Sequence, residues 1–176
     1  MRAMKVSERM RGYRTRLRAA GLRLVQLWVP DTRSKRFAAE CRRQSRLVKG
    51  TLPKLKRWNS LRARARGTTM RRGDLVTVAA PGDYGKPRPA LVIQSDLFDE
   101  LPSVTLCLVT STLRDAPIFR ITVDPSPANG LQRISQVQVD KVLTVARERI
   151  GGVIGRLDDD TLLKVNRSLA VFVGIA

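Results

Sequence analysis

Charge divides this chain at Met70. The first 69 residues hold 21 lysines and arginines against three acids, a net +18, while the rest hold 13 against 12, a net +1. The two parts are therefore different kinds of object: a polybasic module that expects a polyanion, then a near-neutral globular domain. A segment this basic binds nucleic acid whatever its fold, losing roughly 0.7–0.9 of a log unit of affinity per phosphate contact per log unit of salt. It carries no wing, finger or glycine-aromatic motif that would read bases. Cys41 and Cys107 lie far apart with no partner motif, and histidine is absent. That pattern argues against a disulfide framework or zinc site and reads as two reduced thiols in a cytoplasmic protein. No apolar run approaches ~18 residues, so no membrane span is expected. The basic start lacks the apolar centre of a signal peptide; a mitochondrial presequence is the alternative for an Arg-rich, acid-poor start.

The basic part predicts two helices around one short strand. Met10, Tyr13, Leu17 and Ala20 share a face of a helix over Val6 to Ala20, with Ser7 as N-cap and Gly21 as its stop. Leu22 to Val29 alternates as a strand, ended by Pro30-Asp31-Thr32. Ser34 to Val48 reads as a second helix with Phe37, Cys41, Ser45 and Val48 on one face.

Beyond Met70 the pattern becomes β. Leu75 to Ala79 is a short apolar strand. Pro81-Gly82-Asp83-Tyr84-Gly85-Lys86-Pro87 is a loop, with two glycines and two prolines in seven residues. Pro89 holds Arg88 extended, and Ala90 to Ile93 is a second strand, so a guanidinium stands where a loop meets a buried strand. Ser95 to Leu101 is a turn or short helix. Val104 to Thr112, Phe119 to Val123, Ser135 to Asp140 and Val142 to Val145 supply four further strands. In the Ser135 strand, Val137 and Val139 point inward and Gln136, Gln138 and Asp140 line the other face. Asp158 caps a final helix whose core face is Leu162, Val165, Leu169 and Phe172. Many short strands and one closing helix suggest a small, curved antiparallel barrel.

Gly73-Asp74, Gly85, Arg88-Pro89-Ala90-Leu91-Val92-Ile93 and Val109-Thr110-Ser111 occur in an order and spacing that resemble the MazF/PemK toxin family, the ribonuclease half of a type II toxin–antitoxin pair. The resemblance implies an SH3-like (CcdB/MazF-type) barrel with a C-terminal helix, acting as a homodimer. Residues 17–33 and Phe37-Ala38-Ala39-Glu40-Cys41-Arg42-Arg43-Gln44-Ser45 are similar to MazE-like antitoxins, over roughly residues 5–48. Three parts are expected: an antitoxin-like fragment (1–49), a basic linker (50–69) and a toxin domain (70–176). Such antitoxins bind operator DNA through a basic N-terminal part and mask the toxin with an acidic C-terminal part. Here no acid stands between Glu40 and Asp74. The antitoxin reading frame is therefore expected to fail near Lys49 and run into a toxin start at Met70.

Metal-free RNA cleavage must take a proton from the 2′-OH, stabilise extra charge on phosphorus and protonate the leaving 5′ oxygen. Without histidine the usual acid–base pair is missing, and no carboxylate cluster is spaced for a metal pair. No metal or cofactor is expected. Arg88 remains as a phosphate clamp through its planar fork, and Thr110 as a hydroxyl that binds a phosphate oxygen or relays a proton; these match the family's catalytic Arg and Thr. Ser111 matches a neighbouring hydroxyl in some members and Asp140 a polar position near substrate. The family often has a longer loop carrying Gly-Ser-Glu; here Asp83-Tyr84 takes its place, with Tyr84 able to stack on a base and Lys86 to meet the backbone. Gln138 joins Asp140 as an RNA contact. The plainer alternatives are a surface arginine, a strand-end hydroxyl, a Tyr84 packed on its own loop, and a solvated or dimer-contacting Gln138/Asp140 face. The reading is a sequence-specific endoribonuclease of single-stranded mRNA, partnered by an antitoxin or its own N-terminal segment, with operator DNA at residues 1–49. Its rivals are an operator-binding repressor with an inert barrel and a gyrase-directed toxin on the same fold.

Overall fold

Branched residues from Met70 onward pair into one curled antiparallel sheet. A computed structural model describes residues 6–26, 30–49, 70–79 and 87–175. Among the described residues, six strands run in the order β4-β5-β3-β2-β1-β6. They are β1 (Asp74–Val78), β2 (Arg88–Val92), β3 (Ser103–Thr110), β4 (Arg120–Val123), β5 (Ser135–Ala146) and β6 (Ile150–Arg156). A single 3-10 turn, Asp96–Phe98, joins β2 to β3, and helix α3 (Asp159–Phe172) follows β6. As expected, Asp158 caps α3, its carboxylate accepting from Thr161 N–H at 2.8 Å.

The outer strands meet through the loop after β4. Arg156 N–H, at the end of β6, donates to Ala128 O at 2.8 Å. Gly155 permits this approach, because a Cβ there would stand 2.3 Å from the Asn129 carbonyl carbon and 2.6 Å from Ala128 O. The barrel interior is Leu75, Leu91, Cys107, Val109, Ile121, Val123, Val137 and Val139, covered by Val165 of α3. A second apolar layer on the opposite face joins Val76, Val78, Ala90, Val92, Val104, Leu106, Val145 and Ile150. Gly155→Ala is expected to destabilise by about 2–3 kcal/mol, because backbone and not a flexible side chain must give way. A thermal melt checks this; an unchanged Tm contradicts the closure described.

The Gly73-Asp74 pair proves to be a fastening. Gly73 sits at φ +92°, where a side chain is strained. Its N–H donates to Val92 O, and Leu157 N–H donates to its carbonyl. Asp74 is buried, accepts from Arg71 N–H at 2.8 Å and pairs with Arg156 at 2.7 Å. The motif thus ties the start of β1 to β2 and β6.

Several expectations need correction. The strands read at Ser135 to Asp140 and Val142 to Val145 are one strand. Between the pairs Cys107↔Val142 and Val109↔Val137, β3 advances two residues while β5 advances five. The three surplus residues form a bulge that reverses the alternation: Val137 and Val139 face the barrel interior, whereas Leu143 and Val145 face the other layer. Strand β6 was not expected, because Gly151, Gly152 and Gly155 interrupt its apolar pattern. Phe172 is 51% exposed, one turn past Leu169, where the packed stripe of α3 ends.

The chain divides into two units, Met1–Asp31 and Thr32–Ala176. The first contains α1 (Val6–Ala19), which stops at Gly21 (φ +73°) with Leu22 N–H bonded to Leu17 O and Gly21 N–H to Arg18 O. That is a Schellman ending. Ser7 lies inside α1, which already includes Val6, so it is no cap. Of the strand expected over Leu22 to Val29, residues 22–26 pair with no strand among the described residues, and 27–29 lie outside them. The second unit contains α2 (Lys35–Lys49), whose buried positions among the described side chains are Cys41 and Ser45, on the expected face with half-buried Phe37. Among the described residues, no helix is long and apolar enough to cross a membrane.

Candidate active site

Arg88 is the first residue of β2 and Thr110 the last of β3. These strands pair Ala90↔Leu108, Leu91↔Cys107 and Val92↔Leu106. The same register, carried two residues further, sets Arg88 opposite Thr110. Residues directly opposite on an antiparallel ladder share a face. Thr110 in turn pairs with Gln136 of β5, and Gln136 with Thr122 of β4. A polar row therefore crosses three strands, Thr110–Gln136–Thr122, and the β2–β3 register extended to Arg88 would lengthen it to about 14 Å at the usual strand spacing. It lies on the face turned away from the barrel interior, which Leu91, Val109 and Val137 occupy. Arg88 is exposed and Thr110 half-buried.

Local bonds fix the row. Thr110 Oγ1 accepts the Thr112 N–H at 3.1 Å. A hydroxyl that accepts a backbone N–H keeps its own hydrogen to donate. Ser111, just past the strand end, is exposed inside this turn. Gln136, read from sequence as one of a polar face, is buried, and its amide is fully used: Oε1 accepts Arg114 N–H at 2.9 Å, and Nε2 donates to Arg114 O at 3.0 Å and to Thr122 Oγ1 at 3.2 Å. It pins residues 111–119 beside Thr110.

The next rung pairs Arg120 with Gln138. Arg120 is buried, although sequence reasoning passed over it. Its Nη2 donates to Asp140 Oδ2 at 3.1 Å, with side chains 8% and 23% exposed. Arg120 Nε and Asp140 Oδ1 are buried without a hydrogen-bond partner. The Arg120 guanidinium also lies 6.0 Å from the Phe119 ring centroid. An arginine inside the apolar run Ile118 to Val123 was the available signal. Asp140 is thus committed to a neighbouring charge and not to a solvated strand face.

Of the residues expected at the site, the structure brings Arg88, Thr110, Gln138 and Asp140 onto adjacent rungs of one sheet, with Ser111 at its edge. Asp83, Tyr84 and Lys86 lie outside the described residues. Cys107 does not serve as a nucleophile here: it is fully buried in the barrel, and burial pushes its thiol up to about 12.

Residues 71–173, more than half of the chain, match the family described as PemK-like, MazF-like toxin of type II toxin–antitoxin system. The chain belongs to the PemK/MazF-like toxin family. Its toxin domain is 48% identical over 108 residues to a protein named Probable endoribonuclease MazF from Mycolicibacterium smegmatis, covering 61% of this chain and 99% of that one. It is 23% identical over 111 residues to Endoribonuclease EndoA of Bacillus subtilis, covering 60% and 96%. Residues 7–61 match the family described as Antitoxin MazE-like. There, 41 residues are 54% identical to Antitoxin MazE of M. smegmatis, covering 23% of this chain and 59% of that protein. The fold agrees with a MazE–MazF crystal structure from Deinococcus radiodurans at TM-score 0.52 and 23% identity, over 62% of this chain and all of that one. It agrees equally, at TM-score 0.52 and 22% identity, with a mycobacterial endoribonuclease solved with its cognate antitoxin, over 61% and 97%. The toxin domain is thus an SH3-like barrel of the MazF type, joined to an antitoxin-like N-terminal part.

Proposed function

We propose that residues 70–176 form a metal-independent, sequence-specific endoribonuclease that cleaves single-stranded RNA, including mRNA, in the cytoplasm. The observation that supports this reading is the β2–β3 register, paired as far as Ala90↔Leu108, which continued two residues along both strands brings Arg88 opposite Thr110. The 48% identity to a protein named as an endoribonuclease supports it. In this reading Arg88 grips two phosphate oxygens with its fork. The Thr110 hydroxyl, its oxygen already holding the Thr112 N–H, donates to the same phosphate as charge builds on it. The substrate's 2′-OH passes its proton to solvent water as its oxygen attacks phosphorus, the bond to the 5′ oxygen breaks, and that oxygen takes one proton back from water, so the transfer is balanced. The products are a 2′,3′-cyclic phosphate and a 5′-OH end. Ser111, Gln138 and Asp140 border the bound strand, and Asp83, Tyr84 and Lys86, which precede Arg88 in the sequence, add further substrate contacts.

The antitoxin-like part is a truncated antidote. Its match covers 59% of the M. smegmatis antitoxin, and no acid stands between Glu40 and Asp74. Residues 1–49 supply a nucleic-acid contact, operator DNA included, and the toxin domain works as a homodimer that also accepts an antitoxin of the MazE kind. The test is to incubate the full chain with a long single-stranded RNA in excess EDTA. Discrete fragments with 5′-OH and cyclic-phosphate ends are expected. Intact RNA together with tight operator retention supports the repressor reading instead.

A further inference from the structure

Helix α2 packs on the Asp96–Phe98 turn of the toxin domain. Arg46 makes a two-pronged pair with Glu100: Nε to Oε2 at 2.5 Å and Nη2 to Oε1 at 2.8 Å. On the adjoining helix face, Cys41 and Ser45 are 6% and 2% exposed. The surface that receives the helix is built in advance. Ser95 Oγ caps the turn by accepting Leu97 N–H at 3.3 Å. Gln94 braces it from both sides, donating to Phe98 O at 2.9 Å and accepting Thr105 N–H at 3.1 Å. Arg147, the first residue past β5, donates to Leu101 O at 2.6 Å and to Asp99 O.

Charge complements shape. Residues 96–100 carry Asp96, Asp99 and Glu100, whereas α2 carries six basic residues and one acid. We propose that residues 95–101 are a preformed acidic docking platform for helix α2 of the same chain. This contact lies at the end of β2 and β3 remote from Arg88 and Thr110, about 13 Å along β2 at 3.3–3.4 Å per residue. It differs in kind from masking by an acidic tail: a basic helix settles on an acidic edge and leaves the polar row alone. The docking does not rest on the ribonuclease reading.

The two cysteines provide the readout. Cys107 is buried in the barrel and Cys41 in the docked helix. A 15-residue helix is marginal in water by itself, so an undocked α2 exposes Cys41. A thiol reagent applied to the native full chain should therefore label Cys41 slowly. Ser45→Arg, which places a long charged chain at the most buried point of the helix, should speed labelling at least tenfold. Arg46→Glu should speed it severalfold, and adding Glu100→Arg should restore much of the protection, which a merely structural weakening would not. Labelling in the wild type as fast as in Ser45→Arg overturns the proposal. So does wild-type protection that is lost on dilution, since the helix would then come from a second copy.

Discussion

Arg88→Ala is expected to lower the rate of RNA cleavage by about 10²–10³-fold, the usual cost of removing one preorganised group that meets developing charge. The fold should be unaffected, because the side chain is exposed at a strand end and Pro89 still holds the backbone extended. Single-turnover cleavage of a fixed RNA in EDTA, paired with a thermal melt, separates the two effects. Arg88→Lys should recover only part of the loss, because an ammonium carries the charge without the planar fork. A variant that cleaves at the wild-type rate removes Arg88 from the chemistry, and with it the reason for reading the row as an active site.

The second large effect concerns stability. Asp140→Ala leaves the Arg120 guanidinium, 8% exposed, without its carboxylate. Removing one partner of a buried pair costs about 3–5 kcal/mol, because the remaining charge has neither water nor counter-ion. Replacing both, as Arg120→Met with Asp140→Leu, should return most of that loss, since well-packed apolar groups of similar volume are close to neutral at such sites. Urea titrations of the two variants check this. The comparison also isolates any RNA contact: if the double variant folds like the wild type yet cleaves poorly, the loss belongs to the site. Equal stability of Asp140→Ala and wild type would mean the pair is not buried as described.

Local signals carried much of the fold into view. Leu75 to Ala79, the strand read over Val104 to Thr112 (found as Ser103–Thr110) and Asp158 with the α3 stripe were legible because runs, alternation and capping act within a few residues. Strand β6 was not, since its apolar positions are spaced by glycines that exist for close approach: Gly155 meets the Asn129 backbone, and Gly151 lies against Thr77. The Asp140-Lys141 break made β5 look like two strands, whereas the polar pair marks a bulge inside one. At the site, Arg88 and Thr110 stood out by neighbourhood and by family resemblance. Their alignment across two strands did not, because register is a property of non-local pairing. Gln136 and Arg120 were hidden for a related reason. Each is polar in a strand pattern that predicts a wet face, yet residues 111–119 cover one and Asp140 neutralises the other.

The Arg46–Glu100 clasp joins two residues that lie 54 apart in one covalent chain. Carrying a ligand and its site on one chain makes their meeting an intramolecular event. Docking of α2 therefore does not depend on how much protein a cell makes. Every toxin domain is synthesised with its own helix in hand, at a ratio of one to one that neither dilution nor uneven expression can change.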